Sequence, residues 1–174
     1  RTAAFTGFSN SLSSSYQAKS AQFFGEIGYE LDFVLARTEL FAALAHVHLG
    51  TPYFSESSGA AALTVTGSNS NTTFSTLGVR GDKTFKLAEV NATAKGMLGL
   101  RHAFGDTIPS STNAFVLGSS FSVDGVAIAK NAVVLSAGID LHTSQQVILG
   151  IYYEGQFASD SQQHGVSANL RVLF

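Results

Sequence analysis

The sequence contains no cysteine, no tryptophan and only two prolines among its 174 residues. The absence of cysteine excludes a disulfide-stabilised scaffold. Charge is also scarce: Lys+Arg total 10 and Asp+Glu total 12, which is 13% of the chain, whereas ordinary soluble domains carry about 25%. With a net charge of −2 and no basic cluster, nucleic acid is not an expected partner.

Long hydrophobic runs are missing as well. A helical membrane span needs roughly 18 or more consecutive apolar residues, and polar or charged residues interrupt every stretch first. No apolar segment of the signal-peptide kind follows residues 1–4. Disorder is excluded because 45% of the residues are hydrophobic and 14 are phenylalanine. Two classes remain, an unusually uncharged soluble β-protein and a transmembrane β-barrel.

The sequence does contain an alternation of apolar and polar residues with a period of two, which is typical of β-strands with one apolar face. This alternation predicts strands at residues 20–32, 36–49, 89–104, 130–142, 146–157 and 165–174. Their lengths of about 10 to 16 residues are enough for a tilted strand to cross a bilayer, whereas soluble strands average roughly 5–6. Strand length therefore favours the membrane barrel.

The polar faces of these strands carry glycine, serine, asparagine, glutamine and isolated charges, but almost no lysine. That composition favours a wet lumen over the outer surface of a soluble sandwich. The predicted lumen-lining charges are Glu26, Glu30, Lys95, Arg101, Asp140, Glu154 and Arg171. Both faces of strand 36–49 are apolar; we expect Phe41 and its alternates to face lipid, which leaves His46 and His48 inside.

The connections between the predicted strands alternate in length. Short turns are expected at 31–36, 84–88 and 142–146, and long polar connections at 50–71 and 105–129. Bacterial outer-membrane barrels have short periplasmic turns and longer extracellular loops. The order of the connections therefore predicts an antiparallel outer-membrane β-barrel.

Five stretches, in order along the chain, carry a resemblance to a known family. They are residues 22–29, 74–80, 100–106, 136–141 and 164–174. Together they resemble the C-terminal translocator barrel of autotransporters (type V secretion). The resemblance implies a twelve-stranded barrel threaded by a helix that leads to a passenger. About eight of those strands can be placed, the six above and two more near residues 1–10 and 72–84, so residues 1–174 are expected to be one partial domain without the first strands, the plug helix and the passenger.

The resemblance also implies a function. The chain is expected to anchor and help export a passenger across the bacterial outer membrane, with no enzymatic activity and no cofactor. Implied partners are outer-membrane lipid, the passenger with its linker helix, and the barrel assembly machinery. That machinery would read a C-terminal β-signal formed by Gly165, Val166, Ala168, Leu170, Val172 and Phe174. Two alternatives stay open: a small outer-membrane adhesin or structural barrel, and a pore without a secreted passenger.

Other motifs have simpler interpretations. Arg80-Gly81-Asp82 matches an integrin-type tripeptide, but it lies beside a turn on the expected periplasmic side, so we interpret it as a chance match. His46 and His48 share a strand face without a third ligand at metal-binding spacing, and we expect no metal site. No nucleophile elbow or phosphate loop occurs. We interpret the lumen carboxylates as part of a solvated pore lining, and we prefer this interpretation to a role in cleavage of the passenger linker.

Overall fold

The computed structural model describes residues 1–33, 36–57, 59–116 and 118–173. In these ranges the chain is built from β-strands, and no helix is long and apolar enough to span a membrane. The strands are β1 (Thr2–Phe5), β2 (Phe8–Ser11), β3 (Lys19–Phe33), β4 (Ala36–Thr51), β5 (Phe54–Ser55), β6 (Leu63–Val65), β7 (Ser68–Leu87), β8 (Val90–Gly105), β9 (Ser110–Phe115), β10 (Ser120–Asp124), β11 (Asn131–His142), β12 (Val147–Phe157) and β13 (Gln162–Val172).

These strands form three sheets. The main sheet has seven strands in the order β13-β12-β11-β8-β7-β4-β3. Strands of this sheet that follow one another along the chain are therefore hydrogen-bonded neighbours, which is an up-and-down order. A second sheet has four strands in the order β10-β9-β6-β5, and β1 pairs with β2 in a separate hairpin. The pairings along β8, β11, β12 and β13 are antiparallel. The predicted all-β antiparallel architecture is confirmed.

Strand positions agree closely with the alternation in sequence, with one correction. The segment 1–10 is not a long strand of the main sheet, because β1 and β2 turn back on each other through residues 6–7. Gly7 has a φ of 85°, a left-handed conformation that glycine adopts without strain. The main sheet therefore contains seven of the eight strands that we placed.

The connections have more structure than expected. The two long polar segments, 50–71 and 105–129, contribute the four strands of the second sheet. The turn between β7 and β8 consists of residues 88–89 only, so the predicted turn 84–88 is wrong in its bounds, because residues 84–87 belong to β7; Ala88 has a φ of 53°. The turn between β11 and β12 covers 143–146, one residue shorter than the predicted 142–146, because His142 ends β11. Residues 34–35 of the predicted turn 31–36 lie outside the described residues.

Packing divides the chain into two compact units. Unit 1 comprises residues 1–23, 46–73 and 104–128, and contains the β1-β2 hairpin and the second sheet. Unit 2 comprises residues 24–45, 74–103 and 129–174. Large hydrophobic side chains stay exposed in unit 2; Leu100 is 67% and Val166 78% exposed. Exposed apolar surface of this kind is typical of faces that contact a membrane or another protein.

Candidate functional site

The two faces of the main sheet in unit 2 differ sharply in chemistry. On one face, the cross-strand register aligns the residues in polar rows. One row consists of Lys95, Gly138, Tyr152 and Ser167. The next row on the same face consists of Thr93, Asp140, Gly150 and Asn169. We call this side the polar face. The row between these two belongs to the opposite side, the outward face, and consists of Ala94, Ile139, Ile151 and Ala168. The candidate site is the polar face.

One cluster on the polar face joins strands β8, β11 and β12. Lys95 Nζ lies 2.7 Å from Asp140 Oδ2, and the Tyr152 hydroxyl donates a hydrogen bond to Asp140 Oδ1. The same ammonium lies 5.9 Å from the centroid of the Tyr152 ring. Asp140 is only 8% exposed, and a buried carboxylate is stable only with such charged and hydrogen-bonding partners.

Glycines leave the space that this cluster occupies. A Cβ atom at Gly150 would lie 2.6 Å from Asp140 Oδ1, and one at Gly138 would overlap the Tyr152 ring. Because every alternate residue of a strand points to the same face, glycine at these positions lets neighbouring large side chains lie flat over the backbone. The pattern of small and large residues therefore positions the charges.

A second cluster is centred on Arg80 in β7. Its guanidinium donates two hydrogen bonds to the Glu39 carboxylate, both of 2.9 Å, and lies 2.7 Å from Glu26 Oε1. The guanidinium carbon lies 5.1 Å from the centroid of the Phe41 ring. Arg80 therefore links three strands: it lies in β7, pairs in bidentate fashion with Glu39 of β4, and pairs with Glu26 of β3.

The orientation that we expected for β4 is wrong. Phe41 is 8% exposed and lies on the polar face beside Arg80, where a Cβ at Gly78 would come within 2.7 Å of the ring. Leu40 and Leu44, on the alternate positions, are 48% and 56% exposed. The ring is held on this face because Gly78 leaves a gap for it and Arg80 covers it.

A third group surrounds Arg101. Its Nη1 donates to Gln156 Oε1 at 2.9 Å, and its Nε donates to Thr76 Oγ1 at 3.3 Å. A cavity of about 620 Å³ in unit 2 is lined by Arg80, Arg101, Glu154 and Gln156 among others. A second cavity, of about 270 Å³, is lined by residues that include Glu30, Glu39, Lys95 and Tyr152. Both recesses are lined by charged side chains of both signs.

The predicted lumen charges fall on one side of the sheet. Glu26, Lys95, Arg101, Asp140 and Glu154 share the polar face through the contacts above, and Glu30 lies 3.9 Å from Arg37. Arg171 pairs in register with Ile148, in the row beyond Asn169 and Gly150 on the same face. Whether this face lines a lumen stays a prediction. The described residues hold no group of three or more metal-ligating side chains.

Sequence reasoning missed three members of the site, namely Glu39, Arg80 and Tyr152. Arg80 alternates with Thr76 and Gly78 on the polar positions of β7, and this alternation could have identified it. The Arg80-Gly81-Asp82 tripeptide lies within β7, and the Arg80 guanidinium is paired with two glutamates. That pairing supports the interpretation of the tripeptide as a chance match.

Five of the six predicted β-signal residues lie on the edge strand β13. Gly165 pairs with Glu154 on the polar face, and Val166, Ala168, Leu170 and Val172 alternate on the outward face. Phe174 lies outside the described residues. Recognition of these residues by an assembly machinery stays a prediction.

A sheet of long antiparallel strands with an exposed apolar face and an ion-paired polar face defines the class of transmembrane β-barrel domains. Comparison with known families agrees: a family model described as "Autotransporter beta-domain" matches residues 1–154. The chain belongs to the autotransporter β-domain family, and the resemblance inferred from the sequence is confirmed. The family implies insertion into the outer membrane of Gram-negative bacteria.

Two similar proteins come from Serratia marcescens, and each is named "Extracellular serine protease". They are 32% and 31% identical to this chain over 160 residues, which cover 91% of the chain. The same alignments cover 15% of each relative, so the chain spans a small part of their length. The shared region is the β-domain, and the protease activity in their name belongs to those whole proteins.

Proposed function

We propose that this β-domain is the outer-membrane translocator that anchors an autotransporter passenger and helps to export it. The observation that supports the proposal most strongly is the two-faced main sheet in unit 2, with apolar side chains exposed on one face and paired charges on the other. A closed sheet satisfies every backbone hydrogen bond in lipid. Its polar face then offers a passing polypeptide a hydrated surface.

Closure of the barrel is part of this proposal. Strands β3 and β13 are the two ends of the main sheet, and a free strand edge within lipid would leave backbone groups without partners. We propose that strands outside these 174 residues pair with β3 and β13 in the whole protein. The plug helix and the passenger would precede them, so the chain would be one partial domain.

Assembly is proposed to depend on the barrel assembly machinery. Its recognition signal would be the alternating residues of β13 from Gly165 to Val172 together with the C-terminal Phe174, because an exposed strand edge with alternate apolar side chains can pair with a strand of an insertase. The domain itself would carry out no chemical reaction and hold no cofactor. The other proposed partners are outer-membrane lipid and the protein's own passenger, with no role for nucleic acid.

A crosslinking experiment tests export directly, and it exploits the absence of cysteine in this chain. The full-length protein would carry Ser136→Cys, on the polar face, and one cysteine in the segment that precedes the domain, with export stalled by a folded insert. We expect a disulfide between the two. Leu135→Cys, one residue away on the outward face, is the matched control and should not crosslink.

The crosslink also separates the translocator from its alternatives. Equal crosslinking of both variants, or none with Ser136→Cys in a correctly inserted protein, would contradict passage along the polar face. An adhesin is the second candidate, because the long connections fold into a four-stranded sheet that could bind a surface. If the protein is an adhesin, we expect an inserted domain with no upstream segment outside the cell. If it is a pore, we expect ion conductance and no exported upstream segment.

A further inference from the structure

The second sheet, in unit 1, has one open edge. Its strand order is β10-β9-β6-β5, so β10 and β5 are the two edge strands. Strand β5 has two residues and is shielded: the Tyr16 ring stacks on Phe54 with centroids 4.1 Å apart, and Ser57 N–H donates to Ser13 O at 2.7 Å. All five residues of β10 are exposed. An open strand edge is a template for pairing with another strand.

The hydrogen-bonding phase of β10 shows which of its residues bond to β9. Gly125 N–H donates to Pro109 O at 2.7 Å, and these two residues continue the register of the β9–β10 pair. Hydrogen-bonded pairs alternate with non-bonded pairs along an antiparallel ladder. Phe121 and Val123 therefore direct their backbone groups at β9.

The alternate residues of β10 direct their backbone groups at the open edge. Thr112 of β9 has the same phase: it lies opposite Ser122, but its carbonyl accepts from Thr66 N–H at 2.9 Å, on the side away from β10. Ser120, Ser122 and Asp124 therefore offer their N–H and C=O groups to any strand laid along this edge. Proline and lysine, which protect many edge strands, do not occur in β10.

The side chains of β10 leave an apolar strip beside the open edge. Phe121 is 39% and Val123 50% exposed, and both lie on one face because they alternate along the strand. The Phe115 ring of β9 stacks on Phe121 with centroids 5.7 Å apart, which holds the strip in place. The other face of β10 carries two serines and Asp124. A further strand on this edge would cover the apolar strip.

The sequence of β10, Ser-Phe-Ser-Val-Asp, is complementary to itself in the antiparallel direction. When two copies pair about Ser122, Phe121 of each lies opposite Val123 of the other, and aromatic and β-branched residues form favourable cross-strand pairs. Ser120 then lies opposite Asp124, so no two carboxylates face each other. Two-fold symmetry gives both copies the same contacts, as in most homodimers.

The size of this contact sets its strength. Five residues on each side are far fewer than the roughly 20–30 a side of a stable protein interface, so we expect weak pairing between dilute molecules. Anchoring in a membrane holds copies at a high effective concentration, which strengthens weak contacts. The pairing is therefore expected where the protein is anchored and crowded.

We propose that β10 is a self-pairing edge, through which two copies of this domain join their second sheets into one continuous sheet. The second copy supplies the antiparallel strand that the open edge lacks and covers the apolar strip of Phe121 and Val123. This association is a property of unit 1 in addition to anchoring and export, and it does not depend on the route of the passenger.

A single cysteine tests the pairing, because residues 1–174 contain none. The full-length protein would carry Ser122→Cys, with any cysteine elsewhere in the whole protein replaced by serine, and would be oxidised in intact outer membranes. Ser122 faces its own copy in the proposed register, at a Cα separation of about 5.5 Å, within the range of a disulfide. We expect a disulfide-linked dimer on non-reducing gels.

The matched control is Ser120→Cys, on the same face of the same strand. In the proposed register the two copies of residue 120 are offset by four residues, or at least about 13 Å, which is too far for a disulfide. We expect at least fivefold less dimer than with Ser122→Cys. Mixing Ser120→Cys with Asp124→Cys in one membrane should restore the crosslink, because these two positions face each other.

A charge at the centre of the strand tests the pairing without relying on one crosslink. Ser122→Lys, added to both members of the Ser120→Cys and Asp124→Cys mixture, places two ammonium groups directly opposite each other. We expect the mixed crosslink to fall at least fivefold. Thr112→Lys in both members is the control, because Thr112 lies one strand further in on the same face, and it should leave the crosslink unchanged.

Three results would overturn the proposal. The first is equal crosslinking of Ser122→Cys and Ser120→Cys, which indicates random collision. The second is a Ser122→Cys protein that stays monomeric while its passenger is exported, which refutes self-pairing and leaves the translocator intact. The third is a loss of passenger export in Ser122→Lys without any dimer of Ser122→Cys, which would assign this edge to the passenger.

Discussion

At the scale of residues, the polar face depends on charges that neutralise one another across strands. Lys95 and Asp140 are 45 positions apart in sequence but only 2.7 Å apart in space. The carboxylate is the more buried partner: its side chain is 12% exposed, compared with 47% for Lys95. Removing the lysine therefore leaves a buried charge behind, which costs more than the pair itself contributes.

Lys95→Met tests this asymmetry. We expect a loss of about 1–3 kcal/mol in the free energy of unfolding, because the mostly buried Asp140 carboxylate loses the ammonium that neutralises it. Urea unfolding of the full-length protein in detergent, followed by gel mobility, would measure it. Lys86→Met, at an exposed position near the end of β7, is the control and should change stability by less than about 0.5 kcal/mol.

Glu56 in unit 1 gives a pH-dependent prediction. The Arg1 guanidinium, 2.7 Å away, and the Leu63 backbone N–H lower the pKa of Glu56 below its ordinary value of 4.5. A lowered pKa stabilises the fold above that value and the contribution disappears as the pH falls below it. We expect the Leu63 amide to lose hydrogen-exchange protection as the pH falls from about 5 to 3.

The Glu56→Gln variant is the comparison for that measurement. It should show weaker protection at pH 7 and little further loss in acid, after correction for intrinsic exchange rates. Native protein that keeps its full protection at pH 3 would contradict the role assigned to this ion pair.

At the scale of elements, the alternation in sequence predicted where strands lie better than which way they face. In β4 both sets of alternate residues are apolar, so periodicity alone could not orient the strand. The gap at Gly78 and the guanidinium of Arg80 decided it, because together they form a site for the Phe41 ring. The first predicted strand failed for a different reason: Gly7 in the left-handed region reverses the chain.

The edge strand β13 carries the prediction about assembly. Deletion of Phe174 should reduce the heat-modifiable, membrane-inserted fraction of the full-length protein severalfold, because an insertase strand would lose the last side chain of the alternating set. Phe174→Tyr, which retains an aromatic ring, should assemble normally. Normal assembly of the deletion variant would argue against a β-signal that ends at Phe174.

At the scale of the whole molecule, the open ends of the main sheet determine what the chain can do alone. Residues 19–30 of β3 and all residues of β13 are exposed, and seven strands are fewer than the eight of the smallest common barrels. We therefore propose that strands outside the 174 residues pair with both edge strands of the main sheet. Because the main sheet is open at β3 and β13, its polar face remains accessible in this structure.

Expression of residues 1–174 alone tests that view. We expect aggregation or an extended, protease-sensitive state in detergent, because unpaired edges in an apolar phase leave backbone groups without hydrogen bonds. Limited proteolysis and size-exclusion chromatography would measure this. The full-length protein provides the reference, and a compact, protease-resistant monomer of the short chain would refute the need for further strands.

The sequence by itself determined the strands, their antiparallel order, the apolar and polar faces of most of them, and the family. These features follow from local patterns, since alternation with a period of two and the spacing of turns are properties of neighbouring residues. Tertiary structure alone decided which charges pair, how β4 is oriented, and that the long connections form a sheet. Arg80 and Glu39 are 41 positions apart, and only strand register, set by packing along the whole sheet, brings such residues together.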